Sequence, residues 1–368
     1  MAPMGTDKDN ELMGRALELA RRAWGSTHPN PMVGALIAEN GVVVAEGFHA
    51  KDGGPHAERV ALANLGRSPR PGATMVVTLE PCSTAGRTGA CCEAIKAAGV
   101  SRVVIGATDP NPAHAGRGVE VLRAAGIEVV AGVRGADCAE LNLIFNHWIT
   151  RGCPLIAGKI ATTRNGRSRP PEGADRWITG AAARENVHHW RRLFPAIAVG
   201  AGTVRADDPA LTRRWREADG TEREDCGWRF VFDSTLATAA GAVWPRVYTD
   251  EWRERTVVVT SVAADATTRT RLQAAGVRVW EQETTRGARG WAEFARRCAA
   301  ERISGVYVEG GAGLLGDARE ASALDYGFWY RAAREGGAEW GGHVDWCFAT
   351  GAVTERLGED ELTRGRIL

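Results

Sequence analysis

The sequence of 368 residues has no apolar run approaching the roughly 20 residues that a membrane-spanning helix needs. It has no excess of either charge: the formal net charge is +1, which gives no large field to attract nucleic acid or an anionic membrane. The first ten residues are polar and lack the apolar core of a signal peptide. There is no internal repeat and no low-complexity tract. These absences lead to the expectation of a cytoplasmic protein that binds neither nucleic acid nor membrane, and they leave room for a homo-oligomer.

What is present is ordinary for a folded protein, 44% hydrophobic and 25% charged. The length suits two domains. Eight cysteines are spread along the chain, but only Cys82, Cys91 and Cys92 cluster. In a reducing compartment such a cluster points to metal or catalysis before disulfides.

Hydrophobic spacing predicts a helix over 9–24, strands near 32–38 and 42–48, and a tight turn at Asn40-Gly41. A helix is expected from Pro55-His56 to about Leu65, a buried strand over 73–79, and a helix over 89–98. Strand 102–107, helix 117–125 and strand 127–133 follow. From Leu141 to Pro154 the pattern restarts. Strands are then expected near 154–160, 195–199, 229–233, 255–260 and 305–308, with helices near 180–193, 265–275 and 290–301. Strands alternating with helices predict two α/β domains, 1–150 and 151–368. Twelve of the thirteen tryptophans lie from Trp148 onward, which supports that boundary.

The chemistry concentrates in His56-Ala57-Glu58, Pro81-Cys82 and Cys91. One imidazole and two thiolates supply three ligands for tetrahedral zinc and leave a fourth position open for water. Glu58 is the candidate general acid/base. This is the zinc-deaminase pattern, with eight residues between the cysteines where the common form has two. Cys92 is the alternative neighbour to Cys91 as a ligand.

Several segments carry a closer likeness: His28-Pro-Asn-Pro-Met-Val-Gly34, His56-Ala-Glu58, Thr78 through Cys92, Asp109-Pro-Asn-Pro112 and Gly116-Arg-Gly118. Over most of 9–150 the chain resembles the bifunctional riboflavin-biosynthesis deaminase–reductases. The resemblance implies a cytidine-deaminase-like α/β/α sandwich with zinc on His56, Cys82 and Cys91, Glu58 as proton shuttle and Asn30 against the pyrimidine. The second half resembles the family's reductase domain, through Lys159, Trp177-Ile-Thr179, Gly202 to Leu211 and Val308-Glu-Gly-Gly311. That implies a dihydrofolate-reductase-like fold using NADPH. By position, cofactor contacts fall on Trp177, Thr203, Asp207, Ser234, Gly311, Ala312 and Gly313. Substrate contacts fall on Asp175, Arg191, Leu211, Arg214 and Glu309, with the two arginines suited to clamp phosphate.

The implied chemistry is hydrolytic deamination of 2,5-diamino-6-(5-phosphoribosylamino)pyrimidin-4(3H)-one, then NADPH-dependent reduction of its ribosyl group to ribityl. The second half also departs from the family. Thr163-Arg-Asn-Gly166 stands where Ser-Leu-Asp-Gly is usual, Asp175 where serine is usual, and Leu324-Asp-Tyr326 where Val-Asp-Glu is usual. Two alternatives follow: a deaminase with a non-catalytic reductase domain, or a related deaminase of a specialised pathway.

Other polar features read as structural. Asp207-Asp208 before Pro209 suits a turn or helix cap more than a magnesium site. His188-His189 cannot both face one metal from a helix and suit packing or surface. His49 and His114 suit solvated loops, and the arginines at 213–214 and 331–334 suit solvated faces.

Overall fold

A computed structural model describes residues 5–84, 89–175, 177–217 and 219–368. The chain divides into two compact units, Met1–Gly152 and Cys153–Leu368.

The first unit runs α1 (Asp7–Arg21), β1 (Gly34–Glu39), β2 (Val42–Phe48), α2 (Ala57–Leu65), β3 (Thr74–Leu79), α3 (Cys91–Ala98), β4 (Arg102–Ala107), α4 (Arg117–Ala124), β5 (Glu128–Ala131), α5 (Gly135–Leu141) and α6 (Leu143–Arg151). The sheet order is β2-β1-β3-β4-β5. The β2/β1 and β1/β3 pairs are antiparallel, and the others are parallel. Asn40 and Gly41 both have positive φ, 51° and 77°, as a tight hairpin between β1 and β2 requires. Helices α1 and α5 pack on one side, and α2 runs beside β1, β2 and α3. Interleaved valines, alanines and isoleucines of β1, β3 and β4 form the buried core.

Gly47 shows why α2 sits where it does. A Cβ there would lie 2.4 Å from the Ala61 nitrogen and 2.5 Å from the Ala57 carbonyl oxygen. The helix backbone rests directly on β2, and no larger residue fits between them.

The second unit comprises β6 (Leu155–Thr162), β7 (Arg167–Arg169), α7 (Ala181–Leu193), β8 (Ala196–Gly200), α8 (Ala201–Asp207), β9 (Arg213–Arg216), β10 (Glu222–Asp225), β11 (Trp228–Phe232), β12 (Thr256–Ser261), α9 (Ala266–Ala274), β13 (Arg278–Gln282), α10 (Gly287–Ala300), β14 (Gly305–Val308), α11 (Ala312–Glu320), β15 (Tyr326–Arg331), β16 (Gly341–His343), β17 (Val353–Leu357) and β18 (Asp360–Arg366). Nine strands form one sheet in the order β13-β12-β11-β8-β14-β6-β15-β18-β17. Seven are parallel, and β18 and β17 close the edge antiparallel. In such sheets ligands collect at the carboxyl ends of the strands. Two apolar clusters fill the unit. One centres on Phe230, Phe294 and Trp291, the other on Val231, Val258 and Tyr248.

The sequence reading missed α5, α6, β7, α8, β9, β10, β13 and the strands from Tyr326 onward. The β15 segment mixes Gly327 with four aromatic residues and one arginine and shows no clean alternation. It becomes a strand because β6 on one side and β18 on the other supply its partners. The unusual Leu324-Asp325-Tyr326 has a structural use: Asp325 accepts the Ile156 N–H at 2.9 Å and so registers β15 on β6. Likewise Asn165 of the unusual Thr163–Gly166 turn makes two hydrogen bonds to Gly336, each 2.9 Å. No helix among the described residues is long and apolar enough to cross a membrane.

Candidate active sites

His56, Cys82 and Cys91 converge, with their ligand atoms within 4.8 Å of one another. Three different elements deliver them. His56 is the N-cap of α2, with extended backbone (φ −70°, ψ 154°), so the helix starts one residue later than expected. That resolves the spacing of His56 and Glu58. Two residues apart on a helix they would diverge, but His56 is off the helix and Glu58 is in its first turn. Cys82 lies in the loop after β3, and Cys91 is the first residue of α3.

The donor atoms face inward. His56 Nδ1 lies 3.2 Å from Cys91 Sγ and 3.5 Å from Cys82 Sγ. Tetrahedral zinc, at about 2.0 Å from nitrogen and 2.3 Å from sulfur, separates its ligand atoms by similar amounts. The Cys82 thiol is pulled down to about 4, first by its hydrogen bond with Cys91, with His56 adding to it. Cys91 is pushed up, first by that same bond and then by burial and the Glu58 charge. Two sulfurs that compete for one proton in a half-dry site fit a dication that replaces it. Cys92 is not part of this set. Its thiol donates to the Pro81 carbonyl at 3.4 Å, and burial pushes it up to about 12.

Glu58 is 3% exposed. Burial raises its pKa above the ordinary carboxylate value. His49 lies beside the site, its ring centroid 5.7 Å from that of His56. It is buried, against the expectation of a solvated loop residue, and its Nδ1 pairs with the Pro55 carbonyl at 3.0 Å.

Two residues that the sequence reading passed over hold the surrounding loops. The buried Glu80 carboxylate accepts four backbone N–H groups, from Asp109, Gly116, Gly118 and Val119. It ties the 109–119 loop to the segment that carries Cys82. Gly118 is required there, since a Cβ would lie 2.2 Å from the Pro81 carbonyl oxygen. Asn142, at the α5/α6 junction, makes two hydrogen bonds with the Met32 backbone, at 2.7 and 2.9 Å. That fixes the stretch after Asn30, whose side chain donates to Asp52 at 2.8 Å. A glutamate that follows a strand and precedes Pro-Cys was visible in the sequence; its four acceptor roles were not. Residues 85–88 of the inter-cysteine motif lie outside the described residues.

In the second unit a charged group sits at the carboxyl ends of the parallel strands. Lys159 of β6 has its Nζ 5.8 Å from the centre of the Tyr330 ring, and burial lowers its pKa. Glu309, just past β14, grips the Arg191 guanidinium with both oxygens. Burial pushes Glu309 up, but the Arg191 charge and hydrogen bonds hold it below its ordinary value. Arg191 also donates to the Thr212 carbonyl at 3.1 Å. Its fork, expected to clamp phosphate, is therefore closed on protein groups.

Thr203 of α8 accepts the Gly311 N–H at 3.3 Å, which brings two expected cofactor positions together. Gly311 caps α11, and a Cβ on Gly313 would meet nothing within 4 Å. This open helix start after a parallel strand fits a pyrophosphate. Asp207 ends α8 and interacts electrostatically with Lys159. Asp208 is the C-cap of α8 and accepts the Arg246 N–H at 2.8 Å, a cap and not a metal ligand. Ser234 follows β11 at the same sheet edge.

Three expected contacts stand differently. Leu211 has a positive φ of 54° and is buried in the core, not open at a surface. Asp175 accepts the Trp177 N–H at 3.0 Å and caps its own loop. Trp177 is 48% exposed, with the Arg184 guanidinium 5.0 Å from its ring centre. A cavity of about 290 Å³ at the start of α7, lined in part by Ile178, Arg334 and Asp360, contains none of the expected site residues.

Comparison with known proteins gives two family matches. Residues 6–107 match the cytidine and deoxycytidylate deaminase zinc-binding region, and residues 154–332 match the RibD C-terminal domain. The riboflavin biosynthesis protein RibD of Bacillus amyloliquefaciens is 38% identical over 313 residues, 85% of this chain and 81% of that one. The protein of the same name from Actinobacillus pleuropneumoniae is 36% identical over 320 residues, 87% of this chain and 82% of that one. Among solved structures, RibD of Acinetobacter baumannii superposes with a TM-score of 0.79 at 31% identity, covering 98% of this chain and 99% of that one. A Thermotoga maritima deaminase/reductase gives 0.77 at 30% identity, with the same coverage.

Proposed function

Since the chain belongs to the RibD family of riboflavin-biosynthesis deaminase–reductases, we propose that unit Met1–Gly152 deaminates and unit Cys153–Leu368 reduces the same phosphoribosylated pyrimidine. The enzyme uses zinc and NADPH. We place it in the cytoplasm.

In the first unit His56, Cys82 and Cys91 would hold zinc, which when bound supplies the Lewis acidity that activates water near neutral pH. Glu58 would carry one proton from the attacking water to the ring nitrogen and then a second, from the hydroxyl that results, to the amine that departs as ammonia. Its burial suits both directions, since a raised pKa lets it hold the proton between steps. Asn30, steadied by Asp52, would present its amide to the pyrimidine edge.

In the second unit NADPH, when bound, supplies hydride to the ribosyl carbon. Thr203, Asp207, Ser234, the Gly311–Gly313 turn and Trp177 would form its seat. Lys159 and Glu309 would present a donor and an acceptor to sugar hydroxyls at the strand ends. Glu309 also fixes Arg191, and Arg214 remains for the phosphate. Asp175 and the Leu211 backbone would border the same substrate.

The observation that carries this reading is the convergence of one imidazole nitrogen and two sulfurs beside a buried carboxyl. Metal analysis of the purified protein should find one zinc per chain, with ammonia released from 2,5-diamino-6-(5-phosphoribosylamino)pyrimidin-4(3H)-one. NADPH oxidation with the deaminated product should follow. A chain that releases ammonia yet never oxidises NADPH would reduce the second unit to a non-catalytic partner. One that accepts neither compound would point to a different pyrimidine.

A further inference from the structure

His188 belongs to no role assigned above. It lies on α7 one turn before Arg191, and its Nε2 is 3.4 Å from a terminal guanidinium nitrogen of Arg214 on β9. A guanidinium only donates, so this contact requires a bare Nε2 and places the ring proton on Nδ1. Nδ1 is buried and has no hydrogen-bond partner among the described residues. The arrangement leaves one donor unpaired and keeps Arg214 held.

The charges around the ring are Arg191, Arg214 and Lys159 against Glu309. Burial, then Arg191 and Arg214, push the imidazole down to about 4, so it is neutral at physiological pH. The other candidate partners of Arg214 are engaged elsewhere. Glu224 lies opposite it across the β9/β10 hairpin, but accepts the Thr212 hydroxyl at 2.5 Å. Glu309 is closed on Arg191. Arg214 is thus exposed and oriented by an acceptor that carries no charge.

We propose that His188 is a positioning residue for substrate recognition by the reductase unit: its bare Nε2 aims the Arg214 guanidinium at the substrate phosphate without neutralising it. A carboxylate at this place would hold the guanidinium equally well and cancel the charge the phosphate needs. The inference rests on Arg214 as a phosphate contact.

The test measures steady-state NADPH oxidation by the full chain, with inorganic phosphate as a competing anion. Arg214→Ala should raise KM and the phosphate inhibition constant by about tenfold or more. His188→Leu should raise both by roughly tenfold while kcat stays within about twofold. His188→Gln, a neutral acceptor, should recover most of the loss, and His188→Glu should be worse than His188→Leu. An unchanged KM in His188→Leu, beside a raised one in Arg214→Ala, overturns the inference and leaves the phosphate contact standing. Equal losses in the Gln, Leu and Glu variants, or a loss in kcat alone, reduce His188 to packing. An unchanged KM in Arg214→Ala removes the contact itself, and the role of His188 with it.

Discussion

The backbone N–H of Cys91 donates to the sulfur of Cys82 at 3.3 Å. Cys91 opens α3, so this N–H is one of the amides that a helix start leaves without an internal partner. The helix thereby stabilises negative charge on the sulfur beyond its end and fixes the separation of the two sulfurs.

Cys82→Ser should release zinc and lower ammonia production by at least about 100-fold, as loss of a ligand exceeds loss of an outer contact. Cys92→Ser should keep the metal, because its sulfur faces the Pro81 carbonyl. Zinc content by atomic absorption, beside ammonia release, separates the two. Chelation of the wild-type chain should reproduce the Cys82→Ser loss in deamination and spare NADPH oxidation.

Glu58→Gln keeps the size and removes the proton carrier. Zinc content should stay at the wild-type level, while kcat for deamination falls by about 10³-fold, the usual scale for a lost general acid/base. If the variant retains wild-type kcat, another group carries the proton.

Glu80→Gln converts one acceptor oxygen into a donor facing two backbone N–H groups, at a cost of about 2–3 kcal/mol in the 109–119 loop. We expect a raised KM for deamination, a lower melting temperature of the first unit and unchanged kinetics of NADPH oxidation. Equal damage to both activities would mean that Glu80 serves the fold at large.

Asp9 is buried, and both its oxygens meet Arg102, at 2.7 and 2.9 Å. The Arg102 hydrogen bonds hold its carboxyl down at about 2, against an ordinary value near 4. A depressed folded-state pKa stabilises above the unfolded value, and that gain is lost as pH falls from about 4 through 2. Asp9→Asn should therefore cost about 2 kcal/mol at pH 7 and far less near pH 2. Urea titrations at the two pH values check this.

The first unit is more legible than the second for a physical reason. Its strands alternate with helices at regular intervals, and its chemistry lies in short motifs: His56 with Glu58, then Pro81-Cys82, then Cys91. Each motif falls at the edge of a helix or strand that hydrophobic spacing can locate. In the second unit the charged residues come from positions far apart, Lys159, Arg191 and Glu309 among them. Nothing local in the sequence says that Glu309 closes on Arg191, because 118 residues separate them. The C-terminal strands were equally hidden, since β15 takes its conformation from β6 and β18.

Residue types and their spacing were enough to determine the zinc chemistry, the two-part α/β plan and the hairpin at Asn40-Gly41. These depend on local backbone preference and on ligand chemistry, which a chain carries wherever it folds. Only the tertiary structure decided that Cys92 turns away from the His56, Cys82 and Cys91 group, that Glu80 gathers four amides, and that Arg214, not Arg191, keeps an open guanidinium. Those outcomes depend on which groups meet across the sheet and how far burial strips them of water, and distance along the chain encodes neither.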